Sequence, residues 1–203
     1  MEQTEHGADH RRRGRARNPD IDTRVLAAAS RHLAAHGYEA MSLTAIAAEA
    51  GTTRQALYRR WPDKSSLAAA ALALHAVTEP RPHAVTHPYA DLVAELTNFQ
   101  HGVSRRGRLS LVGAMLQDGT APDVRDRYRA EVVSPRRGRL RAILERAQQL
   151  QLIEADADLE VALTMCTGSW YGRALAEDSP PARWPQRTAA LVWRAVGGTA
   201  DQT

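Results

Sequence analysis

Little in this sequence invites covalent chemistry or a cross-linked scaffold. It has one cysteine, Cys166, so it can form no internal disulfide and no multi-cysteine zinc or iron–sulfur site. Aromatic residues make up 5% of the chain and Phe99 is the only phenylalanine. The core is therefore left to Ala, Leu, Val and Ile, which suits helices and disfavours a β-sandwich or barrel. Long apolar runs are also missing. The longest, Leu67 to Leu74, falls far short of the roughly 18 residues that span a membrane, and no apolar segment follows the arginine-rich N-terminus as a secretory signal requires. These absences lead us to expect a soluble, cytoplasmic protein. Catalytic signatures are equally scarce: there is no phosphate loop, nucleophile elbow or nucleotide fingerprint. All eight histidines precede Gly102, so none is near Cys166 in sequence, and a buried inert thiol is expected there rather than a nucleophile. His83 and His87 lie four apart in a proline-bearing loop, with His75 and His101 near, but no carboxylate or cysteine cluster joins them, so no metal is expected. The expectation is a chain that is not an enzyme and needs no cofactor.

What is present is a 203-residue chain, 43% hydrophobic and 25% charged, long enough to bury a real core. The formal net charge is +4, and its distribution says more than its size. Residues 1–66 hold eleven Arg/Lys against eight Asp/Glu, and five of those arginines fall between Arg11 and Arg17. Residues 1–18 show no apolar period and read as a disordered basic arm.

Asn18, Pro19, Asp20 and Asp22 suit the cap, first position and positive dipole end of a helix over about 19–36, with Ile21, Val25, Leu26, Ala29 and Leu33 on one face and Gly37 as its stop. Ser42 caps a short second helix from Leu43 to Ala50, which Gly51 ends. Thr53 caps a third, from Arg54 to Trp61, which Pro62 ends. Asp63 opens an alanine-rich fourth helix through about Val77, and the proline-bearing stretch 79–88 breaks the chain. Further helices are expected over about 89–104 and 109–116, from Pro122 onward to Leu150, over about 157–175 and over about 185–196. Pro135 either kinks the 122–150 segment or splits it after Ser134. The total is nine or ten helices and no strand, an all-α fold.

Two short helices joined by a glycine turn have the layout of a helix-turn-helix, whose second helix enters the major groove of DNA. Arg54, Gln55, Arg59 and Arg60 lie off the Leu57/Trp61 face, and Arg and Gln make bidentate contacts to guanine and adenine edges. Tyr58 and Thr53 carry hydroxyls for phosphates, and Thr44 and Lys64 sit where helix starts favour an anion. An ordinary helical hairpin with a solvated charged face is the competing explanation of the same spacing.

The stretch Ile46-Ala47-Ala48-Glu49-Ala50-Gly51, followed by Leu57-Tyr58, Trp61, Lys64 and Leu67 and preceded by Leu26-Ala27-Ala28 and Gly37-Tyr38, resembles the N-terminal signature of the TetR/AcrR family of transcriptional regulators. Thr52 and Trp61 depart from that pattern, which usually has a small aliphatic and a phenylalanine at these places. The resemblance covers residues 19–67, about a quarter of the chain. It implies a three-helix DNA-binding domain over 19–66 and a helical ligand-binding and dimerisation domain over 67–203. By position it implies phosphate contacts from Tyr58, Lys64 and Thr44 and base contacts from Thr53, Arg54, Gln55 and Arg59. The arm, with Arg13 and Arg15, is placed to enter the adjacent minor groove, where arginines favour narrow A·T tracts; a solubilising tail is the alternative.

The resemblance further implies that the last two long helices of each subunit form a four-helix bundle, with Leu159, Leu163, Trp170, Leu191, Val192 and Val196 as candidates, or else as intrachain core. It also implies a pocket, for which Phe99, Met115, Leu116, Tyr128, Met165, Trp170 and Tyr171 are the large adaptable side chains, and hence an apolar or aromatic ligand. The expected function is a homodimeric, ligand-responsive regulator binding double-stranded DNA at a palindromic operator, most simply a repressor released by a small-molecule effector. The alternative is an architectural, non-specific DNA binder without a ligand switch.

Overall fold

The structure, a computed structural model, describes residues 19–76, 86–105, 107–176 and 179–199. Among these every regular element is helical. The elements are α1 (Pro19–Ala40), α2 (Leu43–Glu49), α3 (Arg54–Tyr58), α4 (Lys64–Ala76), α5 (Pro88–Val103), α6 (Arg108–Met115), α7 (Pro122–Tyr128), a π-turn (Arg129–Val133), α8 (Ser134–Gln149), α9 (Leu159–Leu175) and α10 (Trp184–Ala195). No described helix is long and apolar enough to cross a membrane. The basic arm, including Arg13 and Arg15, lies outside the described residues, as does His83.

Helix starts follow local chemistry. The Ser42, Thr53 and Asp158 side chains accept from the backbone N–H groups of Ala45, Ala56 and Val161 at 3.3, 3.1 and 3.0 Å, satisfying donors that a helix leaves orphaned. At α4 the Ser66 N–H donates to Asp63 Oδ1 at 2.6 Å, and the Asp63 N–H donates back to Ser66 Oγ at 3.3 Å. That reciprocal cap holds the Asp63 carboxyl below its ordinary pKa, the backbone hydrogen bond from Ser66 being the main cause.

Gly37 ends the main run of α1 as expected, with φ 75° and ψ 177°, and one further turn follows to Ala40. Two boundaries differ from expectation. Helix α3 ends at Tyr58 rather than Trp61, because Pro62 disfavours helical backbone at the residue before it. The 122–150 segment is interrupted ahead of Pro135: Arg129–Val133 widen into a π-turn, α8 begins at Ser134, and Pro135 occupies its first turn, where its missing N–H takes least from the hydrogen-bond ladder.

Two cores result. One gathers α5, α8, α9 and α10 around Leu92, Leu96, Phe99, Leu144, Leu163 and Trp193. The scarce aromatics are concentrated here: Phe99, Trp170 and Trp184 lie mutually within 5.0–6.2 Å between ring centroids, in geometries that aromatic pairs favour. Beside them Arg139 donates to both oxygens of the buried Glu95 at 2.8–3.1 Å, tying α8 to α5. The other core joins α1–α4 through Val25, Leu33, Ile46, Leu57, Leu67 and Leu72, and it includes Leu111, Ala114 and Met115 of α6 and Val124 of α7. Helices α6 and α7 therefore pack on the N-terminal unit, α6 against α1 and α7 against α4.

Gly37 sits at that junction. Its backbone occupies a region open essentially to glycine alone, and an added Cβ would lie 2.3 Å from Gln117 Oε1. Gly37→Ala is expected to destabilise the protein by about 1–3 kcal/mol, read as a lower midpoint in urea with an unchanged slope.

Candidate nucleic-acid interface and effector cavity

The α2–α3 unit is built by its caps and its glycine. Gly51 takes φ 67°, its N–H donates to the Ala48 carbonyl at 3.1 Å and that of Thr52 to the Ala47 carbonyl at 2.9 Å, the two bonds of a Schellman stop. Ile46, Ala47, Ala50, Ala56 and Leu57 point into the core. Glu49 fixes α2 to α1: it accepts from Arg31 at 2.6 and 2.9 Å and lies 3.1 Å from His32 Nε2. The Arg31 hydrogen bond is the main reason its carboxyl sits below its ordinary pKa.

With the apolar residues turned inward, Thr44, Thr53, Arg54, Gln55, Tyr58 and Arg59 are all exposed. Arg54 Nη2 donates to the Tyr58 hydroxyl at 2.9 Å, and its guanidinium lies 5.3 Å from that ring's centroid, so the two side chains form one unit on adjacent turns. Arg60 is set apart from this surface by its ion pair with Asp22 of α1 at 2.5 Å. Lys64 is half-buried at the start of α4: its Nζ donates to the Glu39 carbonyl at 2.6 Å and lies 4.8 Å from the Tyr38 ring centroid. Burial, followed by the charges of Asp123 and Asp63, raises the pKa of the Tyr38 hydroxyl.

A cavity of about 270 Å³ opens between α5, α6, α7, the π-turn, α8 and α9. Of the pocket candidates, Phe99, Met115, Leu116, Tyr128 and Tyr171 line it, together with Val112, Val133, Leu140 and Thr167. Met165 and Trp170 do not line it. On α9 the residues four apart, Thr167 and Tyr171, face the cavity. Trp170, one position earlier, turns into the aromatic core, and Met165 turns to the opposite surface. Sequence reasoning missed the polar part of the wall, Arg125, Arg129, Arg136 and Arg137. The i, i+4 spacing of Arg125 and Arg129 was the available signal. Among the described residues, no Asp or Glu lines this cavity.

A second concavity lies along α9 and α10, where Val161, Met165 and Leu191 are 55%, 40% and 57% exposed beside Gly168. Of the bundle candidates, Leu163, Trp170, Val192 and Val196 are buried within the chain, Leu159 is half-buried and Leu191 is exposed. Four of the six are thus intrachain core.

Comparison with known proteins adds the following. Residues 25–71 match the family described as bacterial regulatory proteins, tetR family, and residues 87–192, more than half of the chain, match the tetracyclin repressor-like C-terminal domain. An uncharacterised HTH-type transcriptional regulator of Bacillus subtilis, YdeS, is 27% identical over 168 residues, which is 81% of this chain and 83% of the relative. Among solved structures, a TetR transcriptional regulator from Agrobacterium tumefaciens superposes with a TM-score of 0.72 at 16% identity, covering 91% of this chain and 97% of its own. The transcriptional regulator FadR from Bacillus subtilis, in complex with stearoyl-CoA, superposes with a TM-score of 0.65 at 14% identity, covering 87% and 98%.

Cys166 belongs to neither site. It is fully buried, and burial pushes its thiol up to about 12, so almost no thiolate exists near neutrality. In the folded protein it is expected to resist iodoacetamide at pH 8 and to react fully once denatured, as read by mass spectrometry.

Proposed function

Because this chain belongs to the tetR family of bacterial regulatory proteins and is a DNA-binding transcriptional regulator, we propose that it works as a homodimeric repressor, released from a palindromic operator by a small apolar or aromatic effector. Residues 19–66 serve as the DNA-binding domain and 67–203 as the effector-binding and dimerisation domain. The observation that carries this reading is α3. This short helix buries Ala56 and Leu57 and leaves Arg54, Gln55 and Tyr58, with the capping residues Thr53 and Arg59, exposed, the arrangement of a recognition helix entering the major groove. In this reading Arg54, Gln55, Arg59 and Thr53 address base edges, while Tyr58 and Thr44 hold phosphates. Lys64 supports the same surface through the end of α1. On DNA, Arg54 exchanges the Tyr58 hydroxyl for a base edge, leaving that hydroxyl for the backbone.

One reading head contacts too little DNA for high specificity, and two-fold pairing is the usual remedy. The exposed apolar strip of α9 and α10 supports a four-helix bundle with a second copy, now through Val161, Met165 and Leu191. Release follows from packing. Met115 lines the cavity and is also a buried member of the core that holds α1–α4. A ligand preferring a displaced α6 would therefore shift α1 and α4, and with them the spacing of the two reading helices. Such coupling is typically about 1–3 kcal/mol. The complex of the structurally similar FadR with stearoyl-CoA is in keeping with a small-molecule effector.

Selection of sites from random double-stranded DNA at about 0.15 M salt is expected to return an inverted repeat with half-sites about one helical turn apart. No enriched sequence would favour architectural binding instead. On the selected site Arg54→Ala should cost about 1–3 kcal/mol and relax one base position. Leu191→Arg is expected to convert the dimer to monomers in sedimentation and to abolish tight binding to the full repeat while leaving the fold intact.

A further inference from the structure

We propose that the cavity enclosed by α5–α9 takes an amphipathic organic anion, an aliphatic or aromatic body carrying a carboxylate, in preference to a neutral apolar molecule. This rests on the effector reading above and specifies the chemistry of that ligand. The cavity wall has two characters. Phe99, Met115 and Leu140 form an apolar side, while Arg125, Arg129, Arg136 and Arg137 form a cationic one with no carboxylate among the described lining residues. Carboxylates outside the lining compensate part of this charge. Asp126 lies 2.9 Å from Arg129 and Glu160 lies 2.8 Å from Arg137, both in exposed pairs. The Arg136 guanidinium lies 5.1 Å from the centroid of the Phe99 ring, which places a positive charge directly against the apolar side. Arg125 is half-buried and has no ion pair with any described residue. Its charge therefore borders the cavity with no counter-ion among the described residues.

Electrostatics then ranks the ligand classes. Charges in a partly enclosed site are screened less than on an open surface, so the Arg125 guanidinium, with the partly compensated arginines beside it, gives the cavity a positive potential that favours anions. A carboxylate fits the guanidinium fork with charge-assisted hydrogen bonds. A neutral apolar ligand would cover these groups and return nothing for the lost hydration, and a cation would be repelled. Size narrows the class further. At roughly 30 Å³ per water-sized group, about 270 Å³ holds on the order of ten non-hydrogen atoms.

The test is calorimetric titration of the full chain with octanoate, 1-octanol and octylammonium, and with 3-phenylpropanoate and 3-phenylpropanol. At least one acid is expected to bind about tenfold more tightly than its alcohol, the difference between charge-assisted and neutral hydrogen bonds, with the ammonium weakest. Arg125→Gln and Arg129→Gln should each narrow the gap between acid and alcohol. Arg127→Gln, which removes the same charge from the Arg127–Glu131 pair outside the cavity, should leave the gap unchanged. Equal binding of acid and alcohol would overturn the anion preference and leave the effector cavity standing. An acid preference that survives both cavity substitutions would place the anion elsewhere and likewise overturn the proposal. Binding of none of the probes, by protein that still selects its DNA site, would overturn both this proposal and the effector reading.

Discussion

A five-residue helix cannot hold itself together. The 54–58 segment closes barely more than one turn, and isolated helices of that length are not stable in water. Its position is therefore entirely a matter of packing. Thr53 caps its start, the Gly51 stop sets its angle to α2, and Leu57 anchors it, 2% exposed, in the core formed with α1 and α4. Every exposed side chain on this helix takes its direction from that anchor, so the proposed reading surface depends first on the burial of Ala56 and Leu57.

The same core extends past the N-terminal unit. Leu111, Ala114 and Met115 of α6 and Val124 of α7 are members of it, and the Ser65 hydroxyl of α4 donates to Asp123 at the start of α7. The chain thus has no clean seam between reading head and cavity. Helix α6 belongs to both, with Leu111 facing α1 and Val112 facing the cavity. Close-packed interiors rearrange between discrete arrangements rather than deforming smoothly. The proposed release mechanism relies on that property to carry a modest displacement near the cavity to α3.

The cavity wall also changes how the arginine content is understood. Arg-Gly-Arg at 137–139 looks repetitive in sequence, yet its two arginines do different work. Arg139 closes a buried bidentate pair with Glu95 that registers α8 on α5, while Arg137 borders the cavity. Net charge could not have separated these roles.

Local signals were enough wherever one residue does one job. Ser42, Thr53 and Asp158 as caps, Gly51 as a stop, and the apolar faces of α1–α3 were legible because caps and helical periods act within a few residues. The sequence by itself therefore determined the all-helical class, the places where most helices begin, and which side chains α3 leaves exposed. It also carried the resemblance that pointed to DNA. Tertiary structure alone decided what depends on rotation and neighbours. It turned Trp170 into an aromatic core and Met165 to an outer face, although both lie on the helix that carries Tyr171. It widened the helix into a π-turn ahead of Pro135, joined α6 to the N-terminal core, and set the arginines of α7, the π-turn and α8 around a cavity whose other walls come from α5, α6 and α9. The physical reason is that a helical period says which residues share a face, whereas what that face meets is set by contacts between segments far apart in the chain.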